Sequence, residues 1–242
     1  RWLFIIDGIS FCVFFLTIIF VIAETLPQGK EPTKLVGGYI TALRDRRLLV
    51  YVMVNIILTV YISQTQTTLP LYFSNFVAQA NARGFNPQVI STLFAWHLLM
   101  TVACQIPILK FLHRFSHARS LMISGGFWAL GFACITLTGT VVSYQLWWAS
   151  LGLGLFALAI VAYTPTASAL IADLAPATLR GVYTSINSLC WAVGYAVGPP
   201  LGGWALDQSP QFAHNFWLGL AATVPLVWAI LWWLERLVRR TN

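Results

Sequence analysis

Polar side chains recur at helical spacing inside stretches that are otherwise apolar. Over residues 48–72, Tyr51, Asn55, Thr59, Ser63 and Gln66 fall within about a third of a helix circumference at 100° per residue. His97, Thr101 and Gln105 recur every fourth residue. A third stripe holds Thr184, Ser188, Trp191 and Tyr195, with Asn187 beside it. Such groups are costly in hydrocarbon unless they face protein or a water-filled cavity. One isolated Asn or Gln reads as an interhelical hydrogen bond. Three stripes read as one shared cavity, with hydrogen bonds from Asn55, Gln66, His97 and Gln105 and flat apolar faces from Tyr51, Trp191 and Tyr195. That mixture fits a moderately lipophilic organic compound. The four cysteines, Cys12, Cys104, Cys134 and Cys190, stand singly and lack metal-ligand spacing, so no metal or cofactor is expected. His97 has no acidic residue at its depth and there is no G-x-S-x-G, so an enzyme is not expected either.

The elements that carry these stripes are membrane spans. Of the 242 residues, 58% are hydrophobic and 9% charged, against about 25% charged in a soluble domain. The mean hydropathy is +0.75. The charges cluster, and the uncharged gaps between them set the architecture. The longest, from Arg119 to Asp173, holds 53 residues and suits a hairpin turning near Gly139 to Tyr144. Seven spans result, A to G, over 3–22, 48–72, 89–110, 120–138, 145–172, 182–205 and 214–234. The predicted fold is all-α, a polytopic transmembrane helical bundle. A secretory signal is the alternative for span A, but Asp7 interrupts it and no small-residue cleavage site follows Ile22.

Lys and Arg prefer the cytoplasmic side. Twelve of the 14 share one side, leaving only Arg1 and Arg83 opposite. The N-terminus is therefore expected outside and the C-terminus in the cytoplasm of a multi-pass cell-membrane protein. These clusters flank spans, so the net charge of +7 reads as topology and contact with a lipid bilayer, not as a nucleic-acid face. Residues 24–47 form the one long connection, with Pro27, Gly29, Pro32, Gly37 and Gly38 before a basic stretch. They read as a cytoplasmic linker between two bundles. Residues 1–23 then belong to a preceding bundle, and 48–242 form a six-helix unit. The first residue is Arg1, not Met, which reads as part of a longer chain.

Two further patterns concern movement. Gly194, Gly198 and Gly202 stand at four-residue spacing, a ridge that lets another helix come close, and Pro199 with Pro200 removes two backbone donors. Packing is the preferred reading of the ridge, to which a hinge can be added. Asp173, ahead of Pro176, Arg180 and Gly181, sits in one turn across from Arg114 and Arg119. An ion pair from Asp173 to one of those arginines is expected in one access state.

On these residues the sequence resembles the major facilitator superfamily, and within it the drug-efflux branch. The segment Gly194-Tyr-Ala-Val-Gly198-Pro199-Pro-Leu-Gly202-Gly203 matches the family's G-x-x-x-G-P-x-x-G-G motif at every fixed position. The turn from Asp173 to Gly181, the opening Arg1 to Gly8 and the stretch Leu43 to Leu48 look like further parts of the family's pattern. The glycine motif is best known from the family's fifth helix and falls here in the symmetry-related eleventh. The family's G-x-x-x-D-R-x-G-R-R loop is degenerate, with Leu109, His113 and Ser116 at three of its fixed positions and only Arg114 and Arg119 left of its charges. The resemblance implies the sixth helix plus the C-terminal half of a twelve-helix transporter, which rocks around a midplane site. Its partners would be a small organic substrate and the N-terminal half. Protons enter through a carboxylate of that half, through His97, or not at all. The other readings are a truncated remnant that does not transport and a seven-helix receptor, which lacks an outer cysteine pair and a mid-span lysine.

Overall fold

The computed structural model describes residues 2–21, 35–79, 82–141 and 143–239. It divides into two units, 1–34 and 35–242. Among its described residues the first contains one helix, α1 (Trp2–Val21), apolar apart from Asp7, Ser10 and Thr17. Residues 22–34, which include the first part of the expected linker 24–47, lie outside the described residues.

The second unit is a helical bundle: α2 (Leu35–Leu43), α3 (Arg46–Asn75), α4 (Pro87–Leu112), α5 (His117–Thr140), α6 (Gln145–Leu174), α7 (Arg180–Leu206) and α8 (Pro210–Arg239). A two-residue antiparallel pair, β1 (Ala78–Gln79) with β2 (Ala82–Arg83), joins α3 to α4. Helices α3, α4, α5, α6 and α8 are long and apolar enough to cross a membrane. At 27 residues α7 is long enough, but its glycines and polar stripe lower its hydropathy, and the apolar stretch of α1 is shorter, Ile5–Phe20. The expected spans fall on helices, with Ile22 of the first outside the described residues, and from α3 to α8 each helix is longer than its expected span. Asp45 Oδ1 accepts from Arg47 N at 2.9 Å ahead of α3, and Asn86 Oδ1 accepts from Gln88 N at 3.1 Å ahead of α4. The turn after α3 needs Gly84: its φ is +86°, and a Cβ there would collide with the Ser74 carbonyl.

The core gathers around α3. One side of it meets an aromatic cluster in which Tyr61, Trp128, Phe132, Phe156 and Trp217 are all buried. Trp128 and Phe156 lie 4.9 Å apart at their centroids, and Tyr61 meets Phe132 edge-on at 5.2 Å. The opposite side of α3 meets α7.

The last part of the expected linker is not an open loop. Helix α2 docks against the start of α7, where Tyr39 and Ser185 hydroxyls lie 2.7 Å apart. Tyr183 donates to Asp45 Oδ2 at 2.9 Å. Partial burial pushes the Asp45 carboxyl up, but the bonds from Tyr183 and Arg47 and the Arg47 charge outweigh it and hold it below its ordinary value.

Candidate functional site

The polar stripe of α3 and the glycine ridge of α7 close on each other. Asn187 Oδ1 accepts from Tyr51 Oη at 2.5 Å and from Asn55 Nδ2 at 3.0 Å. Asn55 Oδ1 accepts from Tyr163 Oη of α6 at 2.6 Å. Further along, the Thr59 hydroxyl is shared between the Ile56 and Cys190 carbonyls at 2.9 and 3.0 Å, the Ser63 hydroxyl between those of Val60 and Gly194 at 2.8 and 3.2 Å, and Gln64 Nε2 donates to the Gly198 carbonyl at 2.7 Å. The pairs advance together along both chains, so the helices run parallel. A Cβ at Gly194, Gly198 or Gly202 would collide with Thr59, Ser63 or Thr68 respectively. Glycine is required here because side chains of α3 rest on the backbone of α7. Gly203 and Pro199 stand beside the seam, with nothing within 4 Å of a Cβ at Gly203.

In this geometry several residues of the expected cavity lining are engaged between helices. Tyr51, Asn55, Thr59 and Ser63 are buried, and in this arrangement their polar atoms are used by α6 and α7. Asn187 is engaged in the same way. His97 likewise has a protein partner: its Nδ1 lies 2.8 Å from the Leu153 carbonyl of α6. A carbonyl only accepts, so Nδ1 carries the hydrogen. Thr101 turns back onto the His97 carbonyl at 2.9 Å. The sequence did not single out Gln64, Thr68 or Tyr163, because each stands off the every-fourth pattern of its own helix.

What stays open is narrower. Gln66 is exposed, and its Oε1 accepts from Tyr195 Oη at 2.6 Å. Trp191 stacks on Tyr195 with rings 6.2 Å apart and 19° between planes, and its other neighbour is Tyr163 at 6.0 Å. Thr184 and Ser188 are exposed on the same helix. Next to Tyr163, Thr164 lines a cavity of about 290 Å³ with Pro165 and Ser168 of α6 and Thr101 and Gln105 of α4. Two aromatic rings, two amides and five aliphatic hydroxyls are thus offered from α3, α4, α6 and α7.

At the arginine-rich end of this arrangement, Asp173 Oδ2 meets His117 Nε2 at 3.2 Å; the expected pair with an arginine belongs to one of two access states. Arg119 turns to Glu235 at 3.0 Å, which also holds Arg239 at 2.8 Å and accepts from Ser116 at 3.1 Å. Arg114 lies in the α4–α5 turn and Arg180 opens α7. The signal for Glu235 was present in the sequence: it is the one acid in an otherwise basic tail. His117, Asp173, Arg47 and Glu235 share a cavity of about 440 Å³.

Comparison with known proteins follows from this geometry. The profile of the Major Facilitator Superfamily matches residues 72–242. Over 211 residues the chain is 24% identical to an uncharacterized MFS-type transporter, YhjO, of Bacillus subtilis (strain 168), covering 86% of this chain and 48% of that protein. Two crystal structures of a POT family transporter share its fold. One, in complex with a thioalcohol-conjugated peptide, has a TM-score of 0.62 at 16% identity, covering 97% of this chain and 53% of the other. The second, in complex with 5-aminolevulinic acid, has a TM-score of 0.63 at 16% identity, covering 95% and 52%. The chain spans about half the length of each relative.

Proposed function

The chain belongs to the Major Facilitator Superfamily, and from that premise we propose that residues 48–242 form the second six-helix half of a secondary active transporter. Residues 1–23 are then the last helix of the first half, and 24–47 the cytoplasmic link between the two. The carrier moves a small organic solute outward, a drug or a metabolite, by alternating access. Its N-terminal residues here face outside and its C-terminus the cytoplasm. The observation that carries this reading is the group of exposed Gln66 with half-buried Trp191 and Tyr195, continued by Thr101, Gln105, Thr164 and Ser168. Buried polar seams hold helices together, whereas a half-open aromatic stack with amides beside it can receive a flat, moderately polar molecule.

The test is efflux by the full-length protein in inverted membrane vesicles, screened over lipophilic organic compounds. For a transported compound, Trp191→Ala should raise KM about tenfold, the loss of one stacking face worth roughly 1–1.5 kcal/mol. Trp191→Phe should keep most of the affinity. Unchanged KM in both variants would remove this face from the substrate path.

The Asp173–His117 pair is proposed as a gate contact. Its side chains are 67% and 43% exposed, so its worth is at most about 1 kcal/mol. That hardly alters folding, but about 1 kcal/mol shifts a two-state equilibrium roughly fivefold. Asp173→Asn should therefore leave expression and unfolding temperature unchanged while altering transport rate severalfold. Normal transport at normal expression would rule the contact out as a gate.

A further inference from the structure

At the arginine-rich end, α5 and α8 leave a groove of about 370 Å³ lined by Arg119, Met122, Trp232, Glu235, Arg236 and Arg239. Three guanidiniums face one carboxylate there, a net charge of +2. The carboxylate is committed: Glu235 is 11% exposed and is shared by Arg119, Arg239 and Ser116. Each guanidinium carries five N–H donors, and these contacts use one from Arg119 and one from Arg239. Arg236 lies elsewhere, with its Cζ 3.4 Å from the Trp232 ring centroid. This cation–π contact fixes the charge beside an indole that is itself 50% exposed. One turn deeper Trp228 is 44% exposed, and its Nε1 donates to the Met122 carbonyl at 2.8 Å.

Depth supplies the rest. Helix α8 has 30 residues, about 45 Å at 1.5 Å per residue, the thickness of a bilayer with its headgroup layers. Its last turn therefore lies at headgroup level, with Trp228 and Trp232 just beneath, where indoles are favoured. We propose that this groove binds the phosphodiester headgroup of an anionic phospholipid, whose acyl chains run along Met122, Trp228 and Trp232. Guanidinium forks match phosphate oxygens two at a time. The excess charge selects an anionic lipid over a zwitterionic one. Glu235 Oε1 gathers Arg119 and Arg239 at one edge of the groove, where their side chains stay 52% and 64% exposed. The inference needs the chain to lie in a bilayer and is independent of what the protein carries.

The test uses the full-length protein in a neutral detergent, titrated with dioleoyl phosphatidylglycerol, dioleoyl phosphatidylcholine or glycerol 3-phosphate, with bound molecules counted by native mass spectrometry. Phosphatidylglycerol should bind at least about fivefold more tightly than phosphatidylcholine. Arg236→Gln leaves the Glu235 contacts in place, so it should weaken phosphatidylglycerol binding about fivefold with no change in unfolding temperature. Arg236→Lys should recover part of the loss. Glycerol 3-phosphate should not displace the lipid at equal concentration. Equal retention of both lipids overturns the proposal. So does phosphatidylglycerol binding that survives both Arg236→Gln and Arg236→Gln/Arg239→Gln, and so does displacement by glycerol 3-phosphate, which would mark a site for free phosphates.

Discussion

Replacing Gly198 with alanine is expected to lower the unfolding temperature of the purified full-length protein by several degrees. An overpacked contact costs about 1–3 kcal/mol, and each kcal/mol moves the midpoint of a domain this size by about 2–4 °C. The cost is at the upper end here because the new Cβ would meet both Oγ and Cβ of Ser63, which are held on the rigid core helix α3. Two companion variants separate this cause from a general dislike of change in α7. Ser63→Gly removes both blocking atoms and should restore most of the stability lost in Gly198→Ala. Gly203→Ala meets nothing within 4 Å and should be neutral or stabilising, since alanine is the better helix former by up to about 1 kcal/mol. If all three alanine-bearing proteins melt alike, the seam does not hold α3 against α7.

Asn55→Ala should be the most damaging polar substitution. Its amide gives one hydrogen bond to Asn187 on α7 and receives one from Tyr163 on α6, so three helices meet through it. Interhelical hydrogen bonds in membranes average about 0.6 kcal/mol, with a maximum near 1.7. Two such bonds, a small cavity and a buried hydroxyl deprived of its acceptor together give about 1.5–3 kcal/mol. Tyr163→Phe deletes the hydroxyl instead of stranding it and should cost less than about 1 kcal/mol. In the double variant the two costs should not add, because the shared bond is lost once and no hydroxyl is left unpaired. Strict additivity in thermal melts would mean that Asn55 and Tyr163 do not interact. The same cycle run on transport asks whether the network also tunes the open face, because the Tyr163 ring touches Trp191.

The helices were legible because charges are scarce. Each long uncharged gap covers most of a helix or, between Arg119 and Asp173, the α5–α6 hairpin. The glycine ridge was legible as a packing surface because only small residues recur every fourth place in it. The cavity lining was not, and the reason lies in projection. A row of every fourth residue drifts about 40° per step on a helix of 100° per residue. The contact with α7 follows such a drifting row from Tyr51 to Ser63 and then passes to Gln64 and Thr68. On a helical wheel Gln66 lies between Asn55 and Thr59, but at its own height the contact has already moved round, which leaves Gln66 exposed. Wheel position alone therefore merged residues that serve packing with one that faces out. The contact of Asp173 with His117 in this arrangement was not legible for a different reason. His117 is not a permanent cation, so a search for charge complements passes to Arg114 and Arg119, while Arg119 is drawn here to Glu235.

The α3–α7 seam runs from Tyr51 to Thr68, about 25 Å along the axis, with a side-chain bond to α7 backbone or amide at nearly every turn. Two rods bonded so often cannot shear past one another, since any slip would push a hydroxyl of α3 into a glycine Cα of α7. They form a single stiff beam. Docking of α2, with Tyr183 and Asp45 joined at the near end, attaches a handle to that beam. A tug on residues 35–45 would be delivered undamped to Gly202, and whatever flexing the bundle undergoes is left to helices bound less tightly, α4 first among them.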